Sequence, residues 1–139
     1  MYTRVYEAYC RLSNGDQAEL KRCNLKGIFN TPAYFRVLKM TGLNDNAQSA
    51  RVLFLLTGVK ITDGSTEGVS IAKALDQAGV KERHIVQIVR SGDNGIEYLK
   101  RQLIRCKNIS LKSIGETAQF WGDNARRSLL KDFILNTQN

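Results

Sequence analysis

The sequence predicts an all-α protein, and three observations carry that prediction. Apolar residues recur at spacings of three and four from end to end. No run of β-branched residues alternates with polar ones, and the chain has a single proline. At 139 residues, 42% hydrophobic and 24% charged, it can bury a real core without a disulfide or a metal, and it lies far from the composition of disordered chains. The expected architecture is a compact bundle of eight or nine short helices. They either close as one domain or divide into two sub-bundles, 1–66 and 67–139.

Helix by helix, the first should run from Thr3 to Leu12 and stop at Asn14-Gly15, with a second over Asp16 to Cys23 capped by Asp16. Thr31-Pro32 is a strong start signal, because a threonine hydroxyl caps free amides and proline suits the first helical position. That helix should reach Met40 and end near Gly42. A fourth, starting around Asn44 or Asp45, is apolar on nearly every side from Val52 to Leu56 and should be central. Gly58 to Gly68, with Asp63, Ser65, Thr66 and Glu67, reads as the loop between the halves. Ser70 should cap a helix ending at Gly79, and the next spans Lys81 to Arg90. After the break Ser91-Gly92-Asp93-Asn94-Gly95, a helix turns Ile96, Leu99, Leu103 and Cys106 inward. Another covers Leu111 to Trp121, and the last uses Leu129, Leu130, Phe133 and Ile134. Tyr6, Tyr9, Tyr34, Phe35, Phe54, Phe120, Trp121 and Phe133 fall beside aliphatics at helical spacing, so they are expected in the core. They form no platform for stacking bases.

The N-terminus lacks the pattern of a secretory signal, and the longest apolar run, Val52 to Leu56, is too short to cross a bilayer. A cytoplasmic protein is expected. Cys10, Cys23 and Cys106 are odd in number, without a CxxC pair, and read as buried or half-buried thiols. His84 is the single histidine and has no Asp, Glu or Cys at metal-ligand spacing. No phosphate-binding glycine loop is present, and Glu19, Glu82, Glu97 and Glu116 are scattered over helix surfaces. No catalytic residue, metal or cofactor is expected.

Charge is the functional clue. Lys and Arg number 21 against 13 Asp and Glu, a formal net charge of +8, which points to an anionic partner such as nucleic acid. Arg83, Gln87 and Arg90 form a stripe opposite the apolar side of their helix. Arg101 and Arg105 are i, i+4 neighbours extended by Lys107 and Lys112, and Arg127 and Lys131 repeat that spacing on the last helix. From Arg90 to Lys112 six basic residues face only Asp93 and Glu97, so half of the net charge sits there. A solvated face would explain any one of these arginines. The concentration calls for more, because like charges on one helix face repel by about a few tenths of a kcal/mol per pair, and a phosphate backbone would relieve that. Ser70 to Ile85 admits a rival within DNA binding, a helix-turn-helix whose second helix presents Lys81, Glu82, Arg83 and His84 to base edges.

Four stretches in register resemble the CasB family, the small subunit of the type I-E CRISPR Cascade, an RNA-guided surveillance complex. They are Tyr6-Glu7-Ala8-Tyr9 through Ala18-Glu19-Leu20-Lys21-Arg22; Pro32-Ala33-Tyr34-Phe35-Arg36-Val37-Leu38; Gly68-Val69-Ser70-Ile71 through Glu82-Arg83-His84-Ile85-Val86-Gln87-Ile88-Val89-Arg90; and Leu129-Leu130-Lys131-Asp132-Phe133-Ile134-Leu135. The resemblance implies a non-catalytic helical subunit, present as two copies, which contacts the large subunit CasA and the backbone subunits that coat the guide RNA. It implies a basic surface that supports the guide RNA–target DNA heteroduplex and the displaced non-target strand, stabilising the R-loop in antiviral defence. Lys21, Arg22, Arg83, Arg90, Arg101 and Arg126 match basic positions of the family. Arg105, Lys107 and Arg127 join them from the charge pattern. Two places depart from the family: the short Gly58–Gly68 segment carries Asp63 and Glu67, and Asp123-Asn124 follow Trp121-Gly122 where Lys or Arg is expected. Beside this reading stand the helix-turn-helix regulator and an assembly scaffold with little nucleic-acid contact.

Overall fold

A computed structural model describes residues 2–61 and 68–137. Among these residues the chain forms ten α-helices: α1 (Tyr2–Arg11), α2 (Asn14–Arg22), α3 (Leu25–Ile28), α4 (Pro32–Thr41), α5 (Ala47–Leu56), α6 (Ile71–Gln77), α7 (Glu82–Arg90), α8 (Gly95–Leu103), α9 (Leu111–Gln119) and α10 (Asp123–Thr137). A 3-10 turn over Gly92–Asn94 leads directly into α8. The all-α expectation stands.

Caps set the boundaries. Thr31 accepts a hydrogen bond from the Tyr34 amide at 3.2 Å ahead of Pro32, and α4 ends at Gly42 in the left-handed region, as the sequence predicts. Ser70 and Ser110 cap α6 and α9 in the same way. The start of α2 differs from expectation. Ser13, not Asp16, is its cap and accepts from the Asp16 amide at 3.1 Å, so Asn14-Gly15 lies inside the first turn instead of breaking the chain. Asn46 likewise starts α5 one or two residues later than predicted. The four-residue α3, capped by Asn24, is too short to leave a periodic signal.

α5 is the centre of the molecule. Val52 through Thr57 are all buried, and the helix packs on α9 most heavily and on α1 and α3 besides. Four consecutive large side chains, Leu53 to Leu56, each contribute roughly 1.5–3 kcal/mol of burial as an upper estimate. Arg51 ties α5 to α9 from another direction: its guanidinium donates to the Ala118 and Gln119 carbonyls at 2.9 and 3.1 Å, satisfying the open end of α9. α10 closes the other side by packing on α6 and α7, and α7 packs on α8.

Asp63, Ser65, Thr66 and Glu67 of the expected dividing loop lie outside the described residues. The backbone on either side of that segment is held by one strip of chain. The Ile109 amide donates to the Lys60 carbonyl at 3.3 Å, while Val69 donates to Asn108 at 2.9 Å and accepts from Ser110 at 2.8 Å. These two isolated parallel bridges at Ile109 are the β-type pairing among the described residues.

The core contains most of the predicted aromatics, including Tyr9, Tyr34, Phe54, Trp121 and Phe133. Phe35 and Phe120 do not belong to it, being 48% and 60% exposed. Phe35 follows Tyr34, whose ring takes the inward position, and Phe120 sits at the end of α9 where the chain turns. Cys106 is buried and Cys23 half-buried, but Cys10 is exposed on the outer face of α1.

α7 and α8 approach closely at Gly95. A Cβ added there would lie 2.1 Å from the Ile88 carbonyl oxygen, a backbone atom that cannot swing aside. Gly95→Ala should therefore destabilise the protein by about 1–3 kcal/mol in thermal or urea unfolding. Gly15→Ala on α2, where an added Cβ would meet the Ser13 hydroxyl oxygen at an ordinary 3.9 Å, should stabilise it by about 0.5–1 kcal/mol in the same assay.

Candidate nucleic-acid interface

The basic residues predicted to act together fall into two principal sites. The first is a cleft of about 240 Å³ between the end of α2 and the outer face of α8. α2 ends at Arg22, and Cys23 turns the chain into extended backbone. Lys21 and Arg22 therefore stand exposed in a last helical turn, where cations also complement the helix dipole. On α8 the buried stripe Ile96, Leu99 and Leu103 anchors the helix and aims Glu97 and Arg101 at the same cleft. Glu97 also accepts from the Leu25 amide at 3.4 Å, linking α8 to the start of α3.

Lys100 lines the cleft beside these residues, although it is only 7% exposed. Its Nζ lies 2.6 Å from the Thr57 hydroxyl oxygen and 4.2 Å from the centre of the Phe54 ring. Thr57 in turn donates to the Phe54 carbonyl at 2.9 Å. Burial pushes the Lys100 ammonium down to about 8, against smaller opposing effects of Cys23 and Glu97. The cleft thus carries four cationic side chains, Lys21, Arg22, Lys100 and Arg101, against one carboxylate. Sequence reasoning counted Lys100 among the concentrated charges without singling it out. The signal was present, since Ile96, Lys100 and Leu103 lie at i, i+4 and i+7 and place Lys100 at the edge of the buried stripe.

The second site is a shallow groove along α7, about 580 Å³, flanked by Arg83 and Arg90 with Gln87 between them. Ile85 and Ile88 bury the opposite face. Among the described residues neither arginine has an ion-pair partner. Lys107 and Arg127 are exposed and likewise unpaired among the described residues, and Arg105 is exposed but donates to Gln102 at 3.1 Å and to the Ala78 carbonyl at 3.5 Å.

Arg126 is placed differently from the other predicted residues. It is buried over the Trp121 ring, donating to Asp93 at 3.1 Å and to Asp123 at 2.6 Å, while the Trp121 indole donates to the Asp93 carbonyl. Both carboxylates are almost fully exposed, so the guanidinium is covered by protein on one side and by its two partners on the other. It fastens the Gly92–Asn94 turn to the start of α10. Asp123, a departure from the expected basic residue, is part of that fastening.

The helix-turn-helix expectation places α7 as a recognition helix. α6 and α7 each pack on α10 and touch one another little. His84 is half-buried, its Nδ1 enclosed without a hydrogen-bond partner among the described residues. Among the described residues no helix is long and apolar enough to cross a membrane, and no three His, Cys, Asp or Glu side chains cluster as a metal site requires.

No protein-family model matches the chain. CRISPR system Cascade subunit CasB of Escherichia coli (strain K12) is 28% identical over 147 aligned residues, spanning 96% of this chain and 92% of that protein. A chain in the crystal structure of E. coli Cascade bound to a PAM-containing dsDNA target superposes with a TM-score of 0.82 at 27% identity, covering 96% of this chain and 95% of that one. The chain is similar to CasB of Cascade in sequence over nearly its whole length, and its fold matches that of a chain of the Cascade complex.

Within this CasB-like fold the buried ammonium of Lys100 has a measurable consequence. The unfolded chain holds that proton more tightly, with an ordinary lysine value of 10.5 against about 8 when folded. Between those two values the unfolded state binds more protons, so the Lys100 contribution makes stability rise with pH; below about 8 both states are protonated and the full burial penalty applies. Lys100→Met should therefore raise stability at pH 7 by about 1–3 kcal/mol. Urea titrations should find the wild type more stable at pH 9.5 than at pH 7.5, and Lys100→Met should lack the Lys100 share of that rise.

Proposed function

We propose that this protein is the small, non-catalytic subunit of a CRISPR Cascade complex, holding nucleic-acid backbone against its basic surface in antiviral defence. In that role it supports the guide RNA–target DNA heteroduplex and the displaced non-target strand, and so stabilises the R-loop. Sequence is read by guide pairing, which leaves a subunit of this kind only the backbone to grip. Its partners would be the large subunit CasA, the subunits that coat the guide RNA and a second copy of itself.

The observation that carries the proposal is the convergence of Lys21, Arg22, Lys100 and Arg101 on one cleft with a single carboxylate. Those residues come from helices nearly eighty positions apart in sequence, so local helix solubility does not account for their meeting. Like charges gathered in this way are destabilising until an anion enters. Arg83 and Arg90 supply a second basic strip on α7. Arg126 is assigned to the fold, not to the grip, because two carboxylates already engage it. The solved chain whose fold this one matches lies in a Cascade complex bound to a double-stranded DNA target, which supports the reading. A sequence-specific regulator finds less support, since α6 and α7 do not form a closely packed pair and His84 is half-buried.

The test is charge reversal in the assembled complex. Arg22→Glu with Arg101→Glu should leave assembly intact, weaken target-DNA binding and lower the slope of log K against log salt by about 2, roughly 0.9 for each phosphate no longer neutralised. Arg83→Glu with Arg90→Glu should act in the same direction. Failure of assembly, with unchanged DNA affinity in whatever complex remains, would favour the scaffold reading.

A further inference from the structure

The floor of the α2–α8 cleft differs from its rim in a way that the grip alone does not require. Lys21, Arg22 and Arg101 are exposed, and exposed cations suffice to hold a phosphate backbone. Lys100 is nearly covered, sits against the face of Phe54, and has the Thr57 hydroxyl as its one hydrogen-bond acceptor among the described residues. An ammonium has three N–H donors, so two remain without an acceptor in a place where an unmet polar group is costly. The remaining charged or titratable groups around the cleft are Lys21 and Arg22 from α2, Cys23 from the turn, and Glu97 and Arg101 from α8 itself. α5 contributes only Phe54 and Thr57, so among the described residues Glu97 is the sole anion near Lys100 in the cleft. It is already engaged by the Leu25 amide.

We propose that Lys100 is a proton-taking floor for this cleft: one phosphate of a nucleic-acid strand, seated between Arg22 and Arg101, accepts hydrogen bonds from Lys100, and the amine draws a proton from solvent as the phosphate enters. The inference rests on the reading of the cleft as a backbone grip and adds to it a pH dependence and a defined ligand group. The step is R–NH2 plus H+ giving R–NH3+, with no other bond made or broken. The free amine is half-charged near pH 8, because burial disfavours its cation. A phosphate at hydrogen-bond distance replaces the lost hydration and restores the charge.

The experiment measures binding of a short oligodeoxyadenylate, whose groups do not titrate between pH 6.5 and 9, to the full chain at low salt. Calorimetry in buffers of different ionisation enthalpy counts the protons taken up. Wild type should bind about tenfold more weakly at pH 9 than at pH 6.5, the ratio expected when a group titrating near 8 must be charged in the complex. Uptake should approach one proton per site at pH 9 and fall near zero at pH 6.5. Cys23→Ser should behave like the wild type, which separates the amine from the neighbouring thiol. Lys100→Arg should bind equally at both pH values without uptake, and Lys100→Met should bind more weakly than wild type at pH 6.5 with no pH dependence. If Lys100→Arg and Lys100→Met keep the wild-type proton uptake while Arg22→Glu with Arg101→Glu abolishes binding, the Lys100 inference is overturned and the grip stands. If that double reversal leaves binding unchanged, the reading of the cleft fails and the inference falls with it.

Discussion

Everything that gives this protein its charged exterior depends on the complete burial of the second half of α5, Val52 to Leu56. Leu53, Phe54, Leu55 and Leu56 occupy four successive directions around the helix axis, so the other helices must surround it. α9, α1 and α3 do so directly, and two polar contacts fix the ends. Arg51 satisfies the carbonyls that end α9, and Thr57 takes the Lys100 ammonium of α8. With that half of α5 enclosed, each surrounding helix has one apolar face committed inward. Its basic residues are left on the outer side.

That constraint turns a diffuse positive charge into places. α8 must lie with Ile96, Leu99 and Leu103 toward the core, which sets Arg101 beside the end of α2. α7 must bury Ile85 and Ile88, which leaves Arg83 and Arg90 in line along its exposed edge. The cost of placing cations together is modest at the rim, where water and salt screen them, and larger at Lys100, where they do not. Ion pairing offsets little of it. The Arg36–Asp16 pair on α4 and α2 and the Arg126 pairs on α10 lie away from the cleft, and Lys112–Glu116 spans 4.0 Å on an exposed helix face. An arrangement that sets four cationic side chains against the single carboxylate of Glu97 in its cleft is suited to an anionic polymer.

Much of this was legible in the sequence, and what was not has identifiable causes. Thr31-Pro32 and Ser70 announced their helices because side-chain capping is local chemistry. The α8 stripe was legible because three-and-four spacing survives any tertiary context. Asn14-Gly15 misled because a turn-forming pair is tolerated in a first helical turn once Ser13 supplies the cap. Phe35 and Phe120 were assigned to the core on their helical spacing beside aliphatics, whereas burial is decided by the direction each helix faces and where it ends. The meeting of Lys21 and Arg22 with Arg101 was beyond periodicity, since it depends on how two distant helices pack. Arg126 showed the converse: its residue type fits a basic surface, but Trp121, Asp93 and Asp123 turn it inward.

The central claim is that the α2–α8 cleft faces nucleic acid and not a protein neighbour, and Ile104 offers a direct test. It is 51% exposed at the edge of the cleft and takes no part in the charge arrangement. With a photoreactive benzoylphenylalanine at that position in the assembled, target-bound complex, irradiation should cross-link the subunit to guide RNA or target DNA. Cross-links formed only to protein subunits would contradict the account.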